Sequence, residues 1–181
     1  MKGQIFNVFE KLVTEKWSEA LLEELYVDAN IPEERLPFVG PLTYPDEWLI
    51  ALVVALSKRT EIPVPDLVRA FGRYAFPHLA KRFPGFVESA PDACTFLRSV
   101  DGVIHVEVKK LDREAILPRV VIEDRDGHIV LRYHSDRKLC SLVEGLLDGV
   151  SDWYGEPIGQ SHVACMHRGA PECEIELAFG A

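Results

Sequence analysis

Apolar residues recur at helical spacing through most of the first hundred positions. Ile5, Phe9, Leu12 and Val13 fall on one face of residues 2–17, which predicts a helix with a buried side. Ser18 suits the N-cap of a second, short helix reaching Leu25, and the proline-bounded stretch 32–45 reads as loop with one helical turn. Trp48, Leu49, Leu52, Val53 and Leu56 form the stripe of a third helix. It begins near Pro45 and ends near Lys58-Arg59, whose cations match its C-terminal dipole. Pro65 opens a fourth helix with Leu67, Val68, Phe71 and Leu79 as apolar positions. Gly72 and Pro77 disturb that pattern. A close approach by another group at Gly72 and a plain break at Pro77 both account for it. Asp92 suits the cap of a further helix carrying Phe96, Leu97 and Val100.

Then the period changes. Ile104, Val106 and Val108 alternate with His105, Glu107 and Lys109, which taken locally predicts a strand. Residues 120–123 and 128–133 flank Asp126-Gly127, a hairpin signal. Leu139, Leu142, Val143, Leu146, Leu147 and Val150 make the cleanest helical stripe of the chain, starting at Ser135 or Asp136. Two further strands, 158–166 and 172–179, meet through Arg168-Gly169-Ala170-Pro171. An all-helical half thus precedes a β-β-α-β-β half, an α+β class with no internal repeat.

Composition narrows the function. With 181 residues, 48% of them apolar, the chain makes one domain or two tightly joined subdomains, and a net charge of −9 argues against binding nucleic acid. The longest apolar run, Leu49 to Leu56, is too short to cross a bilayer, and the first residues lack the apolar core of a signal peptide. A cytoplasmic, non-membrane protein is expected, in which four cysteines are reduced and suited to metal ligation or redox sensing.

The candidate chemistry gathers where the second β segment gives way to the long helix. Tyr133, Ser135 and Arg137 offer a phenol, a hydroxyl and a forked guanidinium within five residues, at an expected helix N-terminus that itself favours anions. Such a set suits a dicarboxylate ligand. A capping Ser135, a packed Tyr133 and an ion-paired Arg137 would be the plainer account. Upstream, His105 stands alone among apolar neighbours, as either a ligand or a core histidine.

These residues resemble the haem nitric oxide/oxygen-binding (H-NOX) family over the whole chain. The likeness lies in Met1-Lys2-Gly3, in His105 followed thirteen residues later by Pro118, and above all in Tyr-x-Ser-x-Arg at Tyr133, Ser135 and Arg137. The resemblance implies a helical distal subdomain, about 1–85, packed on a proximal subdomain, 86–181, with a four-stranded antiparallel sheet and haem b between them. It also implies that His105 lies on a helix and ligates the haem iron, that the Tyr133-Ser135-Arg137 trio clamps the propionates, and that Pro118 packs on the porphyrin. The distal wall would be Ile5, Phe9, Ala75, Leu79, Leu142 and Leu146, none able to donate a hydrogen bond. Leu142 stands where O₂-binding members carry a tyrosine, so the resemblance is to the NO-selective kind. Tyr74 is a donor that could rotate inward.

Cys140, His162, Cys165 and Cys173 make a second constellation. Three thiolates and an imidazole suit tetrahedral zinc, and the turn between the last strands can return Cys173 beside Cys165. Some bacterial H-NOX proteins resemble this arrangement. His167 rivals His162 as the nitrogen ligand, Cys94 reads as a packing residue, and buried thiols or a redox disulfide are the alternatives to metal. The reading reached is a cytoplasmic, haem-based sensor of nitric oxide, binding CO as well. It would have no enzymatic activity and would regulate a histidine kinase or a cyclic-di-GMP enzyme. A zinc-thiolate redox sensor of the same kind of partner is its rival.

Overall fold

The computed structural model describes residues 1–111, 113 and 115–180. Helix α1 (Gly3–Lys16) buries Phe6, Phe9, Leu12 and Val13, and α2 (Glu19–Asp28) starts where the Ser18 hydroxyl accepts from the Leu21 N–H at 3.1 Å. α3 (Asp46–Thr60) opens on Asp46 and Glu47 and closes on Lys58 and Arg59, complementing its dipole at both ends. α4 (Val64–Arg82) runs straight through Pro77. Its lost backbone bond is offset by α8 (Cys140–Tyr154), to which α4 is fastened by the bidentate pairs Arg69–Asp148 and Arg73–Asp152. Gly72 is indeed a place of close approach: a Cβ there would lie 2.4 Å from the Leu142 carbonyl oxygen.

A short α5 (Pro84–Glu88) leads to α6 (Ala93–Ser99), where the Asp92 carboxylate accepts from the Thr95 N–H at 2.7 Å. One π turn, Val100–Ile104, then joins α6 to α7 (His105–Leu111). The alternation at Ile104, Val106 and Val108 is therefore helical, as the family resemblance implies and contrary to the local pattern. Val103 and Val106 are exposed while Val100 and Ile104 pack into the core, so burial there follows a helical period rather than the strand period.

Strands β1 (Arg119–Arg125) and β2 (His128–His134) pair antiparallel around Asp126-Gly127, both at positive φ. After α8 come β3 (Ile158–Ala164) and β4 (Cys173–Phe179), completing a four-stranded antiparallel sheet of order β1-β2-β4-β3. One apolar cluster fills the space among α1, α2, α3 and the first part of α4, and a second lies between the sheet, α6, α8 and the end of α4. They meet along α4, where Ala75 belongs to the first and Phe76 to the second. Among the described residues no helix is long and apolar enough to cross a membrane.

Candidate functional site

His105 is the first residue of α7, and its N–H bonds to the Val100 carbonyl five residues back, the spacing of the π turn. The side chain is 18% exposed, its Nδ1 is buried without a hydrogen bond, and Asp101 Oδ1 lies 3.5 Å from it. Burial pushes the imidazole pKa down against the opposing pull of Asp101, so the ring is neutral at neutral pH. A metal needs that form.

Tyr133 is almost wholly buried on β2, and its hydroxyl accepts from the Leu139 N–H at 3.0 Å. The Arg137 N–H reaches the Ser135 hydroxyl at 3.3 Å, and the Lys138 N–H reaches the Ser135 carbonyl at 3.0 Å. These bonds close a tight turn, not a helix. Lys138 has a φ of 51°, in the left-handed region, and α8 begins only at Cys140. The expected helix start at Ser135 or Asp136 is thus corrected, and with it the dipole argument for an anion at Ser135 and Arg137. What orients Arg137 instead is long-range. Its Nε bonds to the Asp46 carboxylate on α3 and its Nη1 to the Ile116 carbonyl at 2.7 Å, two residues before the half-buried Pro118.

Of the expected distal-wall residues, Ile5, Phe9, Ala75 and Leu142 share the N-terminal cluster, whereas Leu146 packs against the other. Leu79 is apart from both sets, lining an open cavity of about 310 Å³ with Gln4, Asn7, Lys11, His78 and Arg82. Tyr74 donates to Glu15 at 2.6 Å on the protein surface.

Cys140, His162, Cys165 and Cys173 do converge, with one ligand atom from each lying within 4.8 Å of all the others. The thiols are free, and the Sγ atoms of Cys140 and Cys165 are 3.9 Å apart. On a regular strand, residues three apart point to opposite faces. A bulge resolves this: His162 pairs with Ile175 but Ala164 with Glu174, and the extra residue Val163 reverses the alternation so that Cys165 returns to the face of His162. His167 is not among the residues of this cluster, and its Nε2 is instead bonded to the Lys138 carbonyl at 2.8 Å. Burial, with Cys173 and Cys165 beside it, pushes the Cys140 thiol up to about 12, and burial also raises Cys173. For Cys165 burial is outweighed by the His167 and Arg168 N–H groups and the neighbouring thiols, which hold it below its ordinary value. Cys94 lies elsewhere, on α6.

The haem-NO-binding family model matches residues 2–162. This chain belongs to that family. An H-NOX protein of Shewanella oneidensis, solved in its ferrous NO-ligated state, shares 34% identity over all of both chains with a TM-score of 0.94. The solution structure of an H-NOX domain from the same organism, in its ferrous CO-ligated state, covers 99% of this chain and 98% of its own at 34% identity, with a TM-score of 0.89. An unliganded ferrous H-NOX protein of K. algicida, at 23% identity over 100% of this chain and 97% of its own, shares the fold with a TM-score of 0.86. No curated protein matches. The H-NOX fold expected from the sequence, helices packed with a four-stranded antiparallel sheet, is thereby established.

The residues of this H-NOX chain fit both groups that its sequence implies. For haem, there is a largely buried, neutral imidazole with an orphaned Nδ1 and a guanidinium anchored on two sides. For zinc, there are three cysteine thiols free of disulfides clustered with His162, whose Nε2 is buried without a partner. Sequence reasoning missed Asp46, the Ile116 carbonyl and Glu144, which meets His162 Nδ1 at 2.9 Å. Each depends on long-range folding. An acid in the first turn of α3 or mid-way along α8 carries no local signal for it.

Proposed function

We propose that this chain is a haem-based sensor of nitric oxide that signals conformationally to a separate protein and catalyses no reaction itself. The observation that carries this reading is His105, a mostly buried, neutral imidazole with an orphaned Nδ1 at the start of a helix that leaves a π turn. Haem b would supply a ferrous iron able to take a diatomic gas. It would lie between a helical part, about 1–85, and an α/β part, 86–181. His105 holds the iron, Tyr133, Ser135 and Arg137 bind propionates, and Pro118 packs on the macrocycle. Ile5, Phe9, Ala75, Leu79, Leu142 and Leu146 wall the gas side with no side-chain donor. Bound O₂ carries partial negative charge and needs such a donor, whereas NO and CO do not. The NO- and CO-ligated H-NOX structures from S. oneidensis support that choice of ligands.

The signal leaves through α7. Asp101, in the π turn beside His105, accepts from the Val120 N–H of β1 at 3.3 Å, which ties any shift of the iron ligand to the sheet. A histidine kinase or a cyclic-di-GMP enzyme in the cytoplasm would read the altered surface. Purified reduced protein should be red with a strong Soret band. His105→Ala should lose haem, with added imidazole restoring part of it. Full haem occupancy in that variant without imidazole would refute the ligand.

A second reading has its own support in the sulfur cluster. Cys140, His162, Cys165 and Cys173 would hold zinc, and oxidation of these thiolates would release the metal and change the signal. A colourless zinc protein whose effect on its partner depends on oxidant would favour a zinc-thiolate redox sensor. A haem-loaded, NO-dependent one would favour the first reading.

A further inference from the structure

The side chains around the sulfur cluster include one carboxylate that no ligand role uses. Glu144 lies on α8 four residues after Cys140, and its Oε1 meets His162 Nδ1 at 2.9 Å. Both side chains are largely withdrawn from water, at 18% and 17% exposure. The other ring nitrogen of His162, Nε2, is buried without any hydrogen-bond partner, and one ligand atom of each cluster residue lies within 4.8 Å of the rest. A buried polar atom without a partner is costly, so an orphan on a ring that belongs to the sulfur cluster calls for a ligand.

We propose that Glu144 is a positioning residue that fixes the His162 imidazole as the Nδ1–H tautomer and presents its Nε2 lone pair to zinc. A carboxylate can only accept here, so it selects the proton on Nδ1, and Nε2 is then left as an acceptor with no proton of its own. The same contact, with the ring's attachment to β3, limits how far the ring can turn. Helix geometry makes the pairing economical: residues four apart share a face, so α8 supplies both a sulfur ligand and the group that orients the nitrogen ligand. A second tie holds strand and helix in register. Gln160, two residues before His162 on β3, donates to the Glu144 carbonyl at 3.2 Å and to Asp148 Oδ1 at 2.8 Å. Carboxylates behind metal-bound imidazoles commonly raise metal affinity about 10- to 100-fold.

This inference rests on the zinc reading and is tested beside it. Zinc affinity would be measured by competition with a chromophoric chelator on the reduced full chain, for the unmodified protein, Glu144→Gln and Glu144→Ala. The alanine variant should bind zinc about 10- to 100-fold more weakly, and the glutamine variant, whose amide oxygen still accepts from Nδ1–H, should fall between. In cobalt-substituted protein all three should keep the same thiolate charge-transfer intensity, while the ligand-field bands move in the alanine variant. Histidine ¹⁵N spectra of metal-free reduced protein should give the Nδ1–H tautomer for His162, and a tautomer mixture after Glu144→Ala. Tight zinc in the unmodified protein with equal affinity in Glu144→Ala would overturn the proposal alone. No zinc in the unmodified protein would remove the zinc reading and the proposal with it. Weaker zinc with an unchanged His162 tautomer would make Glu144 a mere tie between strand and helix, and would also overturn it.

Discussion

A Cβ on Gly145 would lie 1.9 Å from the carbonyl oxygen of Arg69, so α8 and α4 pass at a separation that only glycine allows. The obstacle is backbone, which cannot rotate aside as a side chain can. Gly145→Ala should therefore part the two helices and cost about 1–3 kcal/mol or more, by the usual penalty of overpacking. For a chain of this size that corresponds to a fall in Tm of very roughly 2–12 °C. Gly85→Ala is the control, since a Cβ there meets nothing within 4 Å. Thermal melts of the three proteins decide it, and equal loss at both positions would contradict the argument.

Asp46 and Arg137 join the start of α3 to the turn that ends β2. Arg137→Ala should lower haem retention, and Arg137→Lys should restore only part, because an ammonium cannot fork between two oxygens. Transfer of haem to a stronger acceptor protein measures this. For Asp46, burial raises the carboxyl pKa, but the Arg137 and Met1 partners outweigh it and hold the value below the usual 3.8. A depressed carboxyl pKa contributes stability above its unfolded value and loses it as pH falls through the folded one. Asp46→Asn should hence be less stable than the unmodified protein at pH 6, with the difference shrinking steadily as pH drops below about 4. Denaturant midpoints at three pH values would show it, and a gap independent of pH would refute the assignment.

Much of this architecture was legible because burial and helical period coincide, as at Phe9, Leu12 and Val13 of α1 or Val143, Leu147 and Val150 of α8. The misreadings occur where they do not. Around His105 the apolar alternation includes Val106, which faces solvent, so it recorded residue type rather than contact. At Ser135 the residues look like a cap, yet Lys138 turns left-handed and Arg137 is drawn to Asp46, a partner 91 positions away. The metal-ligand types were visible in the sequence. That His162 and Cys165 share a face depends on the bulge at Val163, which no spacing rule announces.

The proposed gas selection rests on Leu142, whose side chain packs in the cluster that also holds Ile5, Phe9 and Ala75. The ferrous protein should bind NO and CO and form no stable complex with O₂ in air. Leu142→Tyr would introduce a phenol donor, and a lasting oxy spectrum in that variant but not in the unmodified protein would match the reading. Because the Leu142 carbonyl is set against Gly72, the backbone there is held, and the new hydroxyl's direction depends on side-chain rotamer alone. A persistent oxy spectrum from the unmodified protein would overturn the apolar-wall account.

Removal of zinc should loosen one end of the molecule first. One proposed ligand, Cys140, begins α8, and the other three come from β3, from the turn that follows it and from the start of β4. Without metal, the hairpin would keep its ladder to β2 but lose the proposed metal tie to the helix, since metal binding and local folding are coupled. Hydrogen exchange should therefore accelerate in β3, β4 and the first turn of α8 well before it does in α1 or α3. Reduced protein should carry about one zinc, with Zn–S near 2.3 Å and Zn–N near 2.0–2.1 Å by absorption spectroscopy. Alanine at Cys140, Cys165 or Cys173 should each lower zinc content, whereas Cys94→Ala should leave it unchanged because that thiol sits on α6, outside the cluster. An equal loss of metal from Cys94→Ala and Cys165→Ala, or no metal in protein purified under reducing conditions, would return these thiols to packing or disulfide chemistry.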